Sequence, residues 1–125
     1  MKYNVNTTDF SLTPAISDYL DKRIAHLDKF INPNLEESIM CYVEVGKTTN
    51  HHKTGDLFRT EFTIHIGGKT FRATSEKEDL YASIDTVSDE VTQELKAFKG
   101  KRNSLFKRGA SKVKSIIKGL YGSNN

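Results

Sequence analysis

The chain has 125 residues, 36% of them hydrophobic and 28% charged, with a single cysteine. That length fits one domain, and the balance excludes long disorder, an internal disulfide and a bilayer span, because no apolar run approaches the roughly 18 residues a span needs. The net charge of +3 conceals a division, since residues 1–100 carry 12 Lys and Arg against 16 Asp and Glu, whereas residues 101–125 carry seven basic residues and no acid.

Met1 to Val5 lacks the basic region, apolar stretch and small-residue cleavage site of a signal peptide, which predicts a cytoplasmic protein. Tyr3 and Val5 alternate with polar residues between Lys2 and Thr8, the pattern of a short strand. Thr13-Pro14 then opens a helix: threonine caps free backbone amides, and proline fits the first helical position because it has no amide to leave unpaired. Ile16, Leu20, Ile24, Leu27 and Ile31 form one apolar stripe along that helix, which stops at Asn32-Pro33-Asn34. Ser38 to Val45 alternates between two fairly apolar sets and predicts an interior strand, with Cys41 as a buried thiol. Gly46 to Asp56 is polar and reads as a loop.

Phe58, Thr60, Phe62, Ile64 and Ile66 alternate with Arg59, Glu61, Thr63 and His65, so one face packs and the other is wet. Gly67-Gly68 predicts a two-residue hairpin turn into a strand over Thr70 to Thr74. A second helix is expected from Asp79, with Leu80, Ile84, Val87, Val91, Leu95 and Phe98 on its stripe and Lys96 and Lys99 at its end. The order predicts an α+β fold, a two-layer β-α-β-β-β-α domain with both helices on one side of the sheet. Residues 1–100 are expected to form that domain and residues 101–125 a flexible basic tail, in which Val113, Ile116, Ile117 and Leu120 give about two amphipathic turns.

Catalytic and metal chemistry find little support. Val45-Gly46-Lys47-Thr48 is similar to the end of a phosphate loop, but the motif needs a glycine where this chain has Cys41, and no helix follows. His51-His52 are adjacent loop residues without a cysteine pair or acidic cluster to complete a metal shell. Asp85 and Asp89, one turn apart, lie on a polar flank that gives no reason for their acidities to separate. No enzyme, cofactor or metal is therefore expected. The basic residues carry a clearer signal. On a helical wheel, Tyr19, Lys22, His26 and Lys29 share one flank of the first helix while Asp21 and Asp28 take the other. Lys96, Lys99, Lys101, Arg102, Lys107 and Arg108 run from the second helix into the tail. Such groups favour a polyanion through counterion release, with affinity falling steeply as salt rises.

Gly67-Gly68-Lys69-Thr70-Phe71-Arg72-Ala73, followed by Glu78-Asp79-Leu80-Tyr81-Ala82-Ser83-Ile84-Asp85, resembles the ribosome hibernation promoting factor and ribosome-associated inhibitor family, in which a hairpin runs into a helix of this pattern and closes on a lysine-rich stretch. Thr13-Pro14-Ala15-Ile16 through Asp21-Lys22-Arg23-Ile24 is similar to that family's first helix. The resemblance implies parallel helices on a four-stranded sheet, as in double-stranded-RNA-binding domains. It also implies a site on the small ribosomal subunit, against ribosomal RNA, where messenger and transfer RNA would sit, with steric inhibition of translation in stress or stationary phase. The residues matching the family's RNA contacts are Lys22, Arg23, Lys96, Lys99, Lys101 and Arg102, while Asp79, Tyr81 and Asp85 belong to its motif and are expected to be structural. The length leaves no room for the C-terminal dimerisation domain of long members, so this reading has a monomer away from the ribosome, with no DNA and no membrane partner. Two alternatives stay open on the residues alone. One is a protein-binding regulator, for example of transcription machinery, and the other is a membrane-surface-binding protein using the tail.

Overall fold

The structure is a computed structural model and describes residues 1–32, 39–49 and 55–121, with side chains described for these except residues 49 and 101–121. Six elements follow in the expected order: β1 (Lys2–Thr8), α1 (Pro14–Asp28), β2 (Met40–Thr49), β3 (Asp56–Ile66), β4 (Lys69–Lys77) and α2 (Leu80–Tyr121). The strands form one sheet in the order β1-β2-β3-β4. β1 lies parallel to β2, joined through α1, while β2, β3 and β4 pair antiparallel.

Register decides which face is buried. Val43 sits opposite Phe62, and Phe62 opposite Ala73, so all three point the same way. All three are buried, as are Cys41, Val45 and Ile64. Both helices cover this face. The Tyr3 hydroxyl of β1 bonds Asp21 of α1, and the Thr60 hydroxyl of β3 bonds Ser83 of α2. Most of each predicted stripe is buried, Ile16, Leu20, Ile24 and Leu27 from α1 and Leu80, Ile84, Val87, Val91 and Leu95 from α2, whereas Ile31 is buried beyond the end of α1 and Phe98 is only half-buried. A fully buried side chain of this kind stabilises the fold by about 1.5–3 kcal/mol before entropy is subtracted.

The local signals act as their chemistry requires. The Thr13 side chain accepts a bond from the Ile16 amide at 3.2 Å, with Pro14 in the first helical position. Gly67 and Gly68 take φ of 53° and 83°, the left-handed pair that a type I′ hairpin turn demands. Cys41 is fully buried, and that burial pushes its thiol up to about 12. The thiol is therefore neutral at pH 8 in the folded chain, and iodoacetamide should label Cys41 only through unfolding. Labelling in native buffer as fast as in denaturant would show the site open.

α1 ends at Asp28, short of the expected stop at Asn32-Pro33-Asn34, and three further boundaries differ from expectation. β2 runs on through Gly46, Lys47, Thr48 and Thr49, which pair with Arg59, Phe58, Leu57 and Asp56. The Lys47 ammonium meets Asp56 at 3.0 Å, and the Thr48 hydroxyl donates to the Leu57 carbonyl. The segment similar to a phosphate loop is thus strand rather than loop. β4 likewise continues to Lys77, because Ser75, Glu76 and Lys77 find Thr60, Arg59 and Phe58 across the ladder. The second helix, expected to end at Lys99, continues to Tyr121. No proline interrupts Leu80–Tyr121, and each of its glycines at 100, 109 and 119 costs about 1 kcal/mol relative to alanine, which weakens a helix without ending it.

By compactness the chain divides into two units, Met1–Leu95 and Lys96–Asn125. The first holds the sheet, α1 and the opening of α2. No helix among the described residues is long and apolar enough to cross a membrane.

Candidate nucleic-acid interface

The Glu78 to Asp85 motif resolves into separate tasks along the start of α2. Asp79 is its cap, accepting from the Ala82 amide through its side chain and from the Ser83 amide through its carbonyl. Leu80 and Ile84 enter the core and Ser83 bonds Thr60. Tyr81 meets Tyr19 of α1 edge to face, with ring centroids 4.9 Å apart.

Asp85 completes a closed group with α1. The Tyr19 hydroxyl donates to Asp85 Oδ1 and accepts from Arg23 Nη2 at 3.2 Å, while the same Arg23 nitrogen lies 2.5 Å from Asp85 Oδ1. The guanidinium also sits over the Tyr19 ring, 5.4 Å from its centroid. Burial, followed by the bond to Asp85, raises the pKa of the Tyr19 hydroxyl and keeps it a donor. The bond to Tyr19 leads the causes that raise the pKa of Arg23. One step of four residues from Tyr19 to Arg23 matches one step from Tyr81 to Asp85, so α1 and α2 run parallel here.

This group is what sequence reasoning missed. Arg23 stands on the edge of the α1 stripe and is expected from the resemblance to meet RNA, yet it is engaged with a carboxylate of α2. The available signal was the pair of spacings, Tyr19 to Arg23 and Tyr81 to Asp85, each one helical turn. Lys22 and Lys29, by contrast, are exposed and make no ion pair among the described residues. They lie on one flank of α1 with His26, whose ring packs edge to face on Phe30. The opposite flank, with Asp21 held by Tyr3, faces β1. Charge on α1 is therefore sorted by what each flank meets.

The open face of the sheet is not a basic surface. Glu61 takes Arg59 at 3.1 Å, Arg72 at 3.8 Å and the Thr74 hydroxyl at 3.1 Å, and Glu44 stands directly across from it. Tyr42, the most exposed large apolar side chain described, lies edge-on to His65, which shares a hydrogen bond with Thr70. Lys96 and Lys99 are exposed on α2 in the second unit. Lys101, Arg102, Lys107 and Arg108 lie on the further course of that helix, beyond the described side chains, and His51-His52 fall outside the described residues. Among the described residues no group of His, Cys, Asp and Glu is placed to hold a metal ion.

Comparison with known proteins matches residues 3–103 to the family described as Sigma 54 modulation protein / S30EA ribosomal protein. A ribosome hibernation promotion factor of Picosynechococcus is 28% identical over 102 residues, covering 81% of this chain and 50% of that protein. One of Lactococcus lactis is 27% identical, covering 82% of this chain and 52% of that protein, so the chain spans about half the length of these relatives. The ribosome hibernation promoting factor of Azotobacter vinelandii is 26% identical and 86% covered. Among solved structures, the Protein Y N-terminal domain of Thermus thermophilus aligns with a TM-score of 0.61 at 27% identity, covering 78% of this chain and 99% of that one. A ribosomal subunit interface protein of Coxiella burnetii, 19% identical, shares the fold with a TM-score of 0.59. With the motif, the element order and a match over four-fifths of its length in agreement, the chain belongs to the Sigma 54 modulation protein / S30EA ribosomal protein family.

Proposed function

We propose that this protein is a cytoplasmic ribosome hibernation factor that binds the small subunit through ribosomal RNA, near the messenger and transfer RNA sites, and blocks translation sterically in stress or stationary phase. It is a binding protein and not a catalyst. Family membership carries the reading, supported by the flank of α1 on which Lys22 and Lys29 are exposed and hold no ion pair among the described residues. Lys96, Lys99, Lys101, Arg102, Lys107 and Arg108 are assigned to the same polyanion as a separable arm, because residues 101–125 have seven basic residues and no acid to neutralise them.

Cosedimentation of the intact chain with purified small subunits tests this. Binding at low salt that weakens steeply as salt rises, and that competes with messenger and initiator transfer RNA, is the expected result. Failure to travel with subunits at low salt would rule the reading out, and binding indifferent to salt would turn it toward a protein partner. A companion protein with Lys101, Arg102, Lys107 and Arg108 changed to glutamine should still bind, with a shallower salt dependence.

A further inference from the structure

We propose that Asp85 is the internal counterion of Arg23, so that Arg23 fixes α1 against α2 and the phosphate-meeting charges of α1 are Lys22 and Lys29. The inference rests on the ribosomal reading only for the identity of the polyanion. Asp85 is accordingly a positioning residue, acting on the binding flank through Tyr19 and Arg23.

Geometry gives the first argument. Arg23 holds a carboxylate at 2.5 Å and a hydroxyl at 3.2 Å, and its flat face covers the ring of that same tyrosine. A phosphate approaching Nη2 of Arg23 has to displace a carboxylate already bound to two groups.

A second argument comes from how the fold distributes its cations. Every arginine whose side chain is described has a carboxylate partner: Arg23 with Asp85, and Arg59 and Arg72 with Glu61. Arginine's planar fork suits fixed pairs of this kind, whereas lysine is a hydrated point charge on a flexible stem. Lys22 and Lys29 are exposed, lie seven residues and thus about two turns apart, and so stand about 10 Å apart on one flank. Arg23 is turned by about 100° from Lys22, toward α2.

The test compares intact proteins carrying Lys22→Gln, Arg23→Gln, Asp85→Asn and the double change Arg23→Gln with Asp85→Asn. For each, affinity is measured against salt on small subunits and, independently of the ribosome, on immobilised heparin. Lys22→Gln and Arg23→Gln alter net charge equally, so any difference between them reports position. Lys22→Gln should reduce the slope of log affinity against log salt by about 1, while Arg23→Gln leaves it at the wild-type value. Asp85→Asn keeps an acceptor for Tyr19 but releases Arg23, and should steepen the slope by up to about 1. The double variant strands neither charge and should return the wild-type slope, which guards against misfolding of either single variant. A fall for Arg23→Gln matching that of Lys22→Gln, or no rise for Asp85→Asn, overturns the inference. The predicted pattern on heparin from a protein that ignores subunits sinks the ribosomal reading alone, and a wild-type protein that binds neither overturns both.

Discussion

Replacing Phe62 by alanine should cost about 3–5 kcal/mol of stability, the upper range for a buried aromatic, and a large part of the roughly 5–15 kcal/mol that holds a domain of this size together. Phe62 is fully buried at the middle of β3, which is paired on both sides. Its cross-strand neighbours on the same face are Val43 and Ala73. Ala73 is small, so truncation would leave two alanines side by side on the buried face of the sheet. Phe62→Leu retains most of the volume and should cost less than about 1.5 kcal/mol. Urea unfolding checks both, with the midpoint falling and the slope unchanged. A loss under about 1 kcal/mol for Phe62→Ala would mean that the helices close over the gap and that the ring does not set their distance from the sheet.

That ring was legible in the sequence because the alternation from Phe58 to Ile66 is local, and so were the Thr13-Pro14 opening and the Gly67-Gly68 turn. What was not legible depends on partners distant in the chain. Gly46 to Thr49 has no apolar alternation to mark it as strand, and it is strand only because Asp56 to Arg59 lies opposite. The extension of β4 to Lys77 has the same origin. The far end of α2 escaped for another reason, since a glycine at 100 is a weak stop and nothing stronger follows before Tyr121. At the candidate interface the limit is sharper. Charge marks Lys22, Arg23 and Lys29 alike, and only the packing of α1 on α2 distinguishes Arg23, through its pair with Asp85. The motif residues Tyr81 and Asp85 were visible as a pattern, but their common partner, Tyr19, was visible only as a residue on a basic flank.

Reversing charge at both Lys22 and Lys29, to glutamate, should weaken binding to small subunits by about ten- to a hundredfold at physiological salt. Each lysine that neutralises a phosphate contributes about one unit to the salt slope, and losing two such contacts near 0.15 M salt is worth more than a factor of ten before the repulsion of two new acids is added. The fold should be almost indifferent, because both side chains are exposed, lie off the buried stripe and hold no ion pair among the described residues. Surface changes of that kind usually stay within about 0.5 kcal/mol. A gradient run beside a thermal melt separates the two effects. Lost binding with an unchanged melt supports the α1 flank as the contact, and lost binding with a collapsed melt shows that these lysines stabilise the fold in a way their exposure does not reveal. Unchanged binding would move the contact away from α1, onto Lys96, Lys99 and the basic residues beyond them. The same pair of measurements on Arg23→Glu should give the reverse pattern, a lowered melt from two like charges facing each other across the helices, because that half-exposed cation is already paired with Asp85.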